Sequence, residues 1–345
     1  MIMTNNAPMP EAPMAQPGPR FATRLNGFAV RPELFWAEPG FRPGPLELLD
    51  RAASVPGLGV VDLNYPDHVV GIGTAALRAR LDALGLGLNG LAMRYYSDPA
   101  FKRGAFTNPD PTVRRQAIEL TKAGLDALGE LGGGVMTLWL GQDGFDYPFQ
   151  LDYAKAWADE VDAIREVARH APGIAVSLEY KPDEPRAMAL LPDVATTLLA
   201  IDEAGCANLG VTLDFAHVLY AGENPALAAA HVARRSRLLG LHLNDAYGKR
   251  DDGLMVGAVH TLQTLELLRQ VRRDGYAGAI YFDTFPDVAG LDPVAECAQN
   301  IRTTRAMLHA VERLDASNVL AEAIAAQDAV AAQRVVQALL LGEVP

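Results

Sequence analysis

The chain has 345 residues, half of them hydrophobic and 21% charged, which excludes global disorder and allows one large core. Its net charge of −12 argues against a nucleic-acid partner, because phosphates need a basic face. No apolar run approaches the ~18 residues of a membrane span, and Cys206 and Cys297 have no C-x-x-C spacing.

Residues 1–20 are Pro-rich and read as a disordered arm without the basic and apolar regions of a secretory signal, so a cytoplasmic location is expected. The first strand is expected at 23–30, the second at 59–64 and the third at 88–95. Helices at 46–54 and 74–84 separate them, the latter with apolar residues three and four apart. A long loop follows the third strand, and loops of this size are usually functional. Asp110-Pro111 caps a helix over 112–131. Strands then alternate with helices: 135–140 with 152–170, 174–179 with 192–204, 209–214 with 225–236, 237–243 with 261–273, and 279–283 with 293–313. Eight strand–helix units predict an α/β fold, a closed (β/α)8 TIM barrel, over 21–313. Residues 314–345 carry no turn signal before Gly342 and read as one helical extension. Its apolar face is expected to meet a second copy, making a homo-oligomer, dimer or tetramer.

Four consecutive apolar runs end in Glu179, Asp214, His242 and Asp283. Side chains at the carboxyl ends of barrel strands line the active site, and four converging O and N donors suit a divalent metal. Glu179 and Lys181 lie two apart, so both point into the barrel mouth. A surface salt bridge is the plainer reading, but a strand buried on both faces disfavours it. Asp214 and His217 are three apart where a strand turns into its loop. Alone they would be a local backbone cap beside an incidental histidine; their phase with the other strand ends favours ligands. Asp245, Asp251 and Asp252 share one polar loop, either a solvated acidic turn or a second cation site. Trp139, Tyr96 and Phe101 are wall or core.

The combination E-x-K, D-x-x-H, H-x-N-D and a last-strand Asp resembles the xylose isomerase-like barrels, in particular the branch containing L-rhamnose isomerase. Supporting matches are F-K-R-G-A-F-T-N-P-D-P-T-V-R-R (101–115) and W-L-G-Q-D-G-F-D-Y-P-F-Q (139–150). The resemblance implies a structural metal on Glu179, Asp214, His242 and Asp283, and a catalytic one bridged by Asp214 and held by His217 and Asp251. Mn²⁺ is the expected metal, with Co²⁺ or Mg²⁺ as substitutes and one or two ions per subunit. It further implies Lys181 near the carbonyl of a small sugar substrate, with Trp139, Tyr96 and Asn64 shaping its pocket. The sequence departs from the family at Gly253, where a third loop acid is usual, and at Asn64, where a histidine aids ring opening.

The expected activity is aldose–ketose isomerisation, moving hydrogen between carbons 2 and 1 as a hydride or through an enediolate. A keto-sugar 3-epimerase is the nearest rival, and would have glutamate rather than Asp283. A nuclease on the same barrel would need more histidines and a basic face, and a sugar-binding protein without turnover would follow if Gly253 and Asn64 abolish catalysis.

Overall fold

Residues 19–342 are described by a computed structural model of the chain. The expected arm therefore lies almost wholly outside the described residues. Eight parallel strands run β1 (Phe21–Thr23), β2 (Val60–Tyr65), β3 (Gly87–Met93), β4 (Val135–Trp139), β5 (Ala175–Glu179), β6 (Leu209–Asp214), β7 (Leu238–Leu243) and β8 (Ile280–Phe282). Each pairs with its sequence neighbour from β2 to β8, and β1 pairs with β8. A single parallel bridge between Arg24 and Asp62 joins β1 to β2 and closes a TIM barrel.

The strands are runs of Val, Ile, Leu and Met because both faces are covered, by the barrel interior and by the outer helices. All six residues of β2 and of β6 are buried. Each fully buried Leu or Val contributes about 1.5–3 kcal/mol. Gly90 sits where a Cβ would meet the Val135 carbonyl oxygen at 2.4 Å, so only glycine lets β3 approach β4 there.

The helices that pack outside are α1 (Pro45–Ala53), α2 (Thr74–Leu84), α3 (Pro111–Leu131), α4 (Tyr153–His170), α5 (Val194–Ala204), α6 (Phe215–Tyr220), α7 (Pro225–Arg235), α8 (Thr261–Arg273), α9 (Pro286–Ala289) and α10 (Pro293–Asp315). Asp110, Asp152, Asp193, Asn224 and Asp292 cap α3, α4, α5, α7 and α10 by accepting backbone N–H bonds. No helix among the described residues is long and apolar enough to cross a membrane.

Two expectations change. The first strand is Phe21–Thr23, not 23–30; Asn26-Gly27 turns the chain into a 3-10 helix at Leu25–Ala29. The tail is two helices, α11 (Asn318–Ala325) and α12 (Ala329–Leu341). Ser317 caps the first, and Gln327, at φ 53°, reverses the chain before Asp328 caps the second. Those short polar residues were the turn signal, carried without Gly or Pro. Leu320 and Ala323 bury into the chain's own core.

Candidate active site

The carboxyl ends of the strands open on a cavity of about 410 Å³ lined by Glu179, Lys181, His217, His242, Asp251 and Asp283. Arg24, Asn26, Arg94, Tyr96, Trp139 and Phe285 complete the lining. Among the described residues, Glu179, Asp214, His242 and Asp283 form the convergent donor set, with ligand atoms all within 4.8 Å of one another.

Local sequence explains how these groups converge. Asp214 ends β6 and is also the N-cap of α6, accepting the His217 N–H at 3.1 Å. The D-x-x-H spacing is thus one capping turn, which sets His217 above Asp214. The carboxylate of Asp214 offers one oxygen to each imidazole, 3.9 Å from Nδ1 of His217 and 3.9 Å from Nδ1 of His242. Asn244, fully buried, donates to both Asp214 oxygens at 3.2 Å and to the Asp283 carbonyl at 3.2 Å, while accepting the Ala216 N–H at 2.9 Å. It orients the carboxylate from behind. The H-x-N-D motif contained Asn244, but nothing local marked it as a support.

Burial raises the Asp214 carboxyl to about 7 despite the nearby His217. Burial lowers His242, but Glu179, Asp283 and Asp214 outweigh it and hold the ring at about 9. His217 is likewise lowered by burial and raised by Asp214 and Asp251 to about 9. Three carboxylates and two imidazoles crowded out of water call for a cation. The Nδ1 of His242 is buried without a hydrogen-bond partner, 3.4 Å from Glu179 Oε1. An N donor left open beside three carboxylate oxygens fits a divalent metal.

Among the described residues His217 and Asp251 lie beside the convergent set rather than in it, with His217 between Asp214 and Asp251. His217 Nδ1 lies 3.0 Å from the Tyr180 carbonyl, leaving Nε2 toward the cavity and 3.1 Å from Asp251 Oδ2. The next group is Lys181, whose Nζ donates to the same oxygen at 3.2 Å and to Glu184 at 2.8 Å. Burial raises Asp251, but His217 and Lys181 bring it down to about 2. Asp245 is consumed by the N–H groups of Val259 and His260 and by the His260 ring, and Asp252 by the Tyr247 N–H and Arg250. At Gly253 (φ +57°) a Cβ would fall 2.3 Å from the Phe285 ring. The missing loop acid is replaced by an aromatic wall.

Trp139 and Tyr96 do line the cavity, edge to face at 5.5 Å, with Lys181 5.5 Å above the Trp139 ring. Phe101 is core, packed on Tyr95. Asn64 is not a lining residue: it donates to Asn26 Oδ1 at 2.7 Å, and Asn26 faces the cavity in its place. The displaced first strand explains the shift, since its 3-10 turn inserts Asn26 between β2 and the cavity. Arg24 and Arg94, at the ends of β1 and β3, also line the cavity, and the sequence does not mark them, because neither arginine is in phase with a strand-end acid as Lys181 is with Glu179.

Residues 50–307 match the xylose isomerase-like TIM barrel family, to which the chain therefore belongs. The xylose isomerase of Thermus thermophilus is 32% identical over 209 residues, 59% of this chain and 54% of that protein, so the match spans about half the relative's length. Among solved structures, a D-tagatose 3-epimerase-like protein superposes with a TM-score of 0.68 at 15% identity, covering 85% of this chain and 98% of that one. An L-ribulose 3-epimerase gives 0.65 at 19% identity, covering 86% and 96%.

Proposed function

We propose that this family member is a divalent-metal-dependent aldose–ketose isomerase acting on a small sugar. Glu179, Asp214, His242 and Asp283 would hold one cation, and Mn²⁺ suits a site with one imidazole among carboxylates. Bound there, the ion would supply Lewis acidity to adjacent carbonyl and hydroxyl oxygens. What carries the reading is Lys181, buried to 7% exposure and held at the cavity by Asp251 and Glu184, beside the four-donor cluster. Its ammonium can donate to an oxygen that gains negative charge as carbonyl and hydroxyl exchange places. Asp251, kept ionised, accepts from Lys181 and from His217 and fixes both. Trp139 and Tyr96 offer apolar faces to the sugar's C–H bonds and exclude water. Asn26, oriented by Asn64, offers an amide to a hydroxyl.

A ketose 3-epimerase is the second reading, supported by the resemblance to the two epimerase-titled structures. That chemistry uses two opposed carboxylates reaching one carbon, and the shorter Asp283 on the last strand favours the isomerase.

The test is ketose formation from a panel of aldoses by metal-stripped protein with Mn²⁺, Co²⁺ or Mg²⁺ restored. Metal-dependent ketose release that Asp214→Asn lowers at least ~10³-fold is expected, with metal content falling in parallel. Exchange at carbon 3 of a ketose without aldose turnover would transfer the site to the epimerase.

A further inference from the structure

The two arginines at the ends of β1 and β3 are half-buried and line the cavity, unlike the buried Arg51 and Arg186. Arg51 is fully buried and donates to the carbonyls of Phe28, Val30 and Arg31. Arg186 donates to the carbonyls of Lys102 and Gly144 and meets Asp146 at 3.4 Å. Both are structural pegs. Arg94 lines the cavity, yet among the described residues no acid lies within 4.0 Å of its guanidinium and its side chain makes no hydrogen bond. Its Nε is buried without a partner, as are those of Arg51 and Arg186, so what sets it apart is that its terminal nitrogens face the cavity without a hydrogen bond. The guanidinium lies 5.4 Å over the Tyr96 ring. Arg24 also lines the cavity with a buried, unpartnered Nε. Its guanidinium rests 4.7 Å over Phe285 and has one long contact, 3.5 Å, to the half-exposed Asp287.

A partly buried guanidinium with open donors at a cavity wall is a ready partner for an anion, and a stacked aromatic ring satisfies it only in part. Planar guanidinium groups recognise carboxylate and phosphate oxygens in pairs. We infer that the substrate carries an anionic group, a carboxylate or a phosphate ester, at the end remote from its carbonyl, and that Arg94, with Arg24, receives it. This deepens the isomerase reading and rests on it for the fate of the carbonyl end alone. In the closed strand order β3 lies across the barrel from β7, so Arg94 stands opposite His242 of the donor cluster, whereas Arg24, on β1 beside β8, neighbours Asp283. A short sugar acid or sugar phosphate can therefore reach from the cluster to Arg94, with Arg24 at its flank. Trp139 and Tyr96 would then flank its carbon chain.

Isothermal titration of the metal-loaded protein with ribitol, D-ribonate, ribitol 5-phosphate and inorganic phosphate tests this without requiring turnover. At least one of ribonate and ribitol 5-phosphate should bind about tenfold or more tightly than ribitol, as expected of a charge-assisted pair. Which of the two prevails identifies the anion. Arg94→Gln should collapse that ratio toward one, while Arg94→Lys keeps part of it; bound metal and circular dichroism report whether each variant is folded and loaded. Ratios below about threefold in the wild type, or a preference that survives both Arg94→Gln and Arg24→Gln, would overturn the anion site. Inorganic phosphate binding as tightly as ribitol 5-phosphate would also overturn it, since a small anion at the metal alone would then explain the result. An arginine-dependent preference without turnover of any aldose, including ribose 5-phosphate and uronates, would leave the anion site standing and remove the isomerase.

Discussion

The two halves of the barrel mouth are built on opposite principles. From β5 to β8 the strand ends carry Glu179, Asp214, His242 and Asp283, crowded within 4.8 Å and supported by Asn244 from below. From β1 to β4 they carry Arg24, Asn26, Arg94 and the aromatic pair Tyr96–Trp139, spread around the cavity wall. The first half is the more constrained: Asp214 is fixed by its cap and by the Asn244 amide, and Glu179 lies beside both imidazoles. In the second half the Arg94 donors are left open and Arg24 has one long contact, to Asp287. A rigid acidic half suits a constant ion, and an open cationic and aromatic half suits the variable part of a substrate.

The contrast is broken most severely at Lys181, a lysine on the acidic side of the cavity. Lys181→Met should lower kcat by about 10²-fold while bound metal, measured by mass spectrometry of the ions, stays near the wild-type amount. Loss of metal together with rate would make Lys181 a mere counter-charge. Asn244→Ala removes the support rather than a ligand, and metal affinity should fall by about 10–100-fold in a chelator competition. An unchanged affinity would show that Asp214 needs no such positioning.

The pH dependence separates metal-free from loaded protein. His217 and His242 are raised from 6.5 to about 9, so their stabilisation is complete below pH 6.5 and is lost as pH rises through about 9. Asp214, raised from 3.8 to about 7, likewise loses stability as pH rises through that window. Metal-free protein should therefore melt at progressively lower temperature between pH 4 and 9. Metal binding needs the deprotonated donors, so the stabilisation added by Mn²⁺ should grow over the upper part of this range. Parallel melting curves with and without metal would contradict the shared site. The smallest effect is local to the wall: Gly253→Ala places a Cβ against Phe285 at φ +57° and should cost about 1–3 kcal/mol in denaturant unfolding. A neutral result would mean that Phe285 swings away freely.

Much of the acidic half was legible because its signals are local. An apolar run ending in a carboxylate or imidazole marks a buried strand end, and the two-residue phase of Glu179 and Lys181 aims both at the mouth. D-x-x-H encodes its own capping turn. The order of eight strand–helix units determined the barrel. The tail's division into α11 and α12 was present in Ser317 and Asp328, but an Asp or Ser inside an Ala-rich stretch is compatible with either a cap or an exposed helical position.

What only the tertiary structure decided lies where distant segments meet. β1 has three residues, too few for a period to register, and its position followed from pairing with β8 and from the Arg24–Asp62 bridge. That seam put Asn26 in the cavity and Asn64 behind it. The partnering of an arginine cannot be read along the chain, so Arg51 and Arg94 look alike in sequence, yet only Arg51 has carbonyls to receive its terminal N–H groups. Gly253 read as a lost ligand until Phe285, 32 positions later, filled the same space. Local periodicity specifies which face a side chain takes; only the closed barrel specifies what stands opposite it.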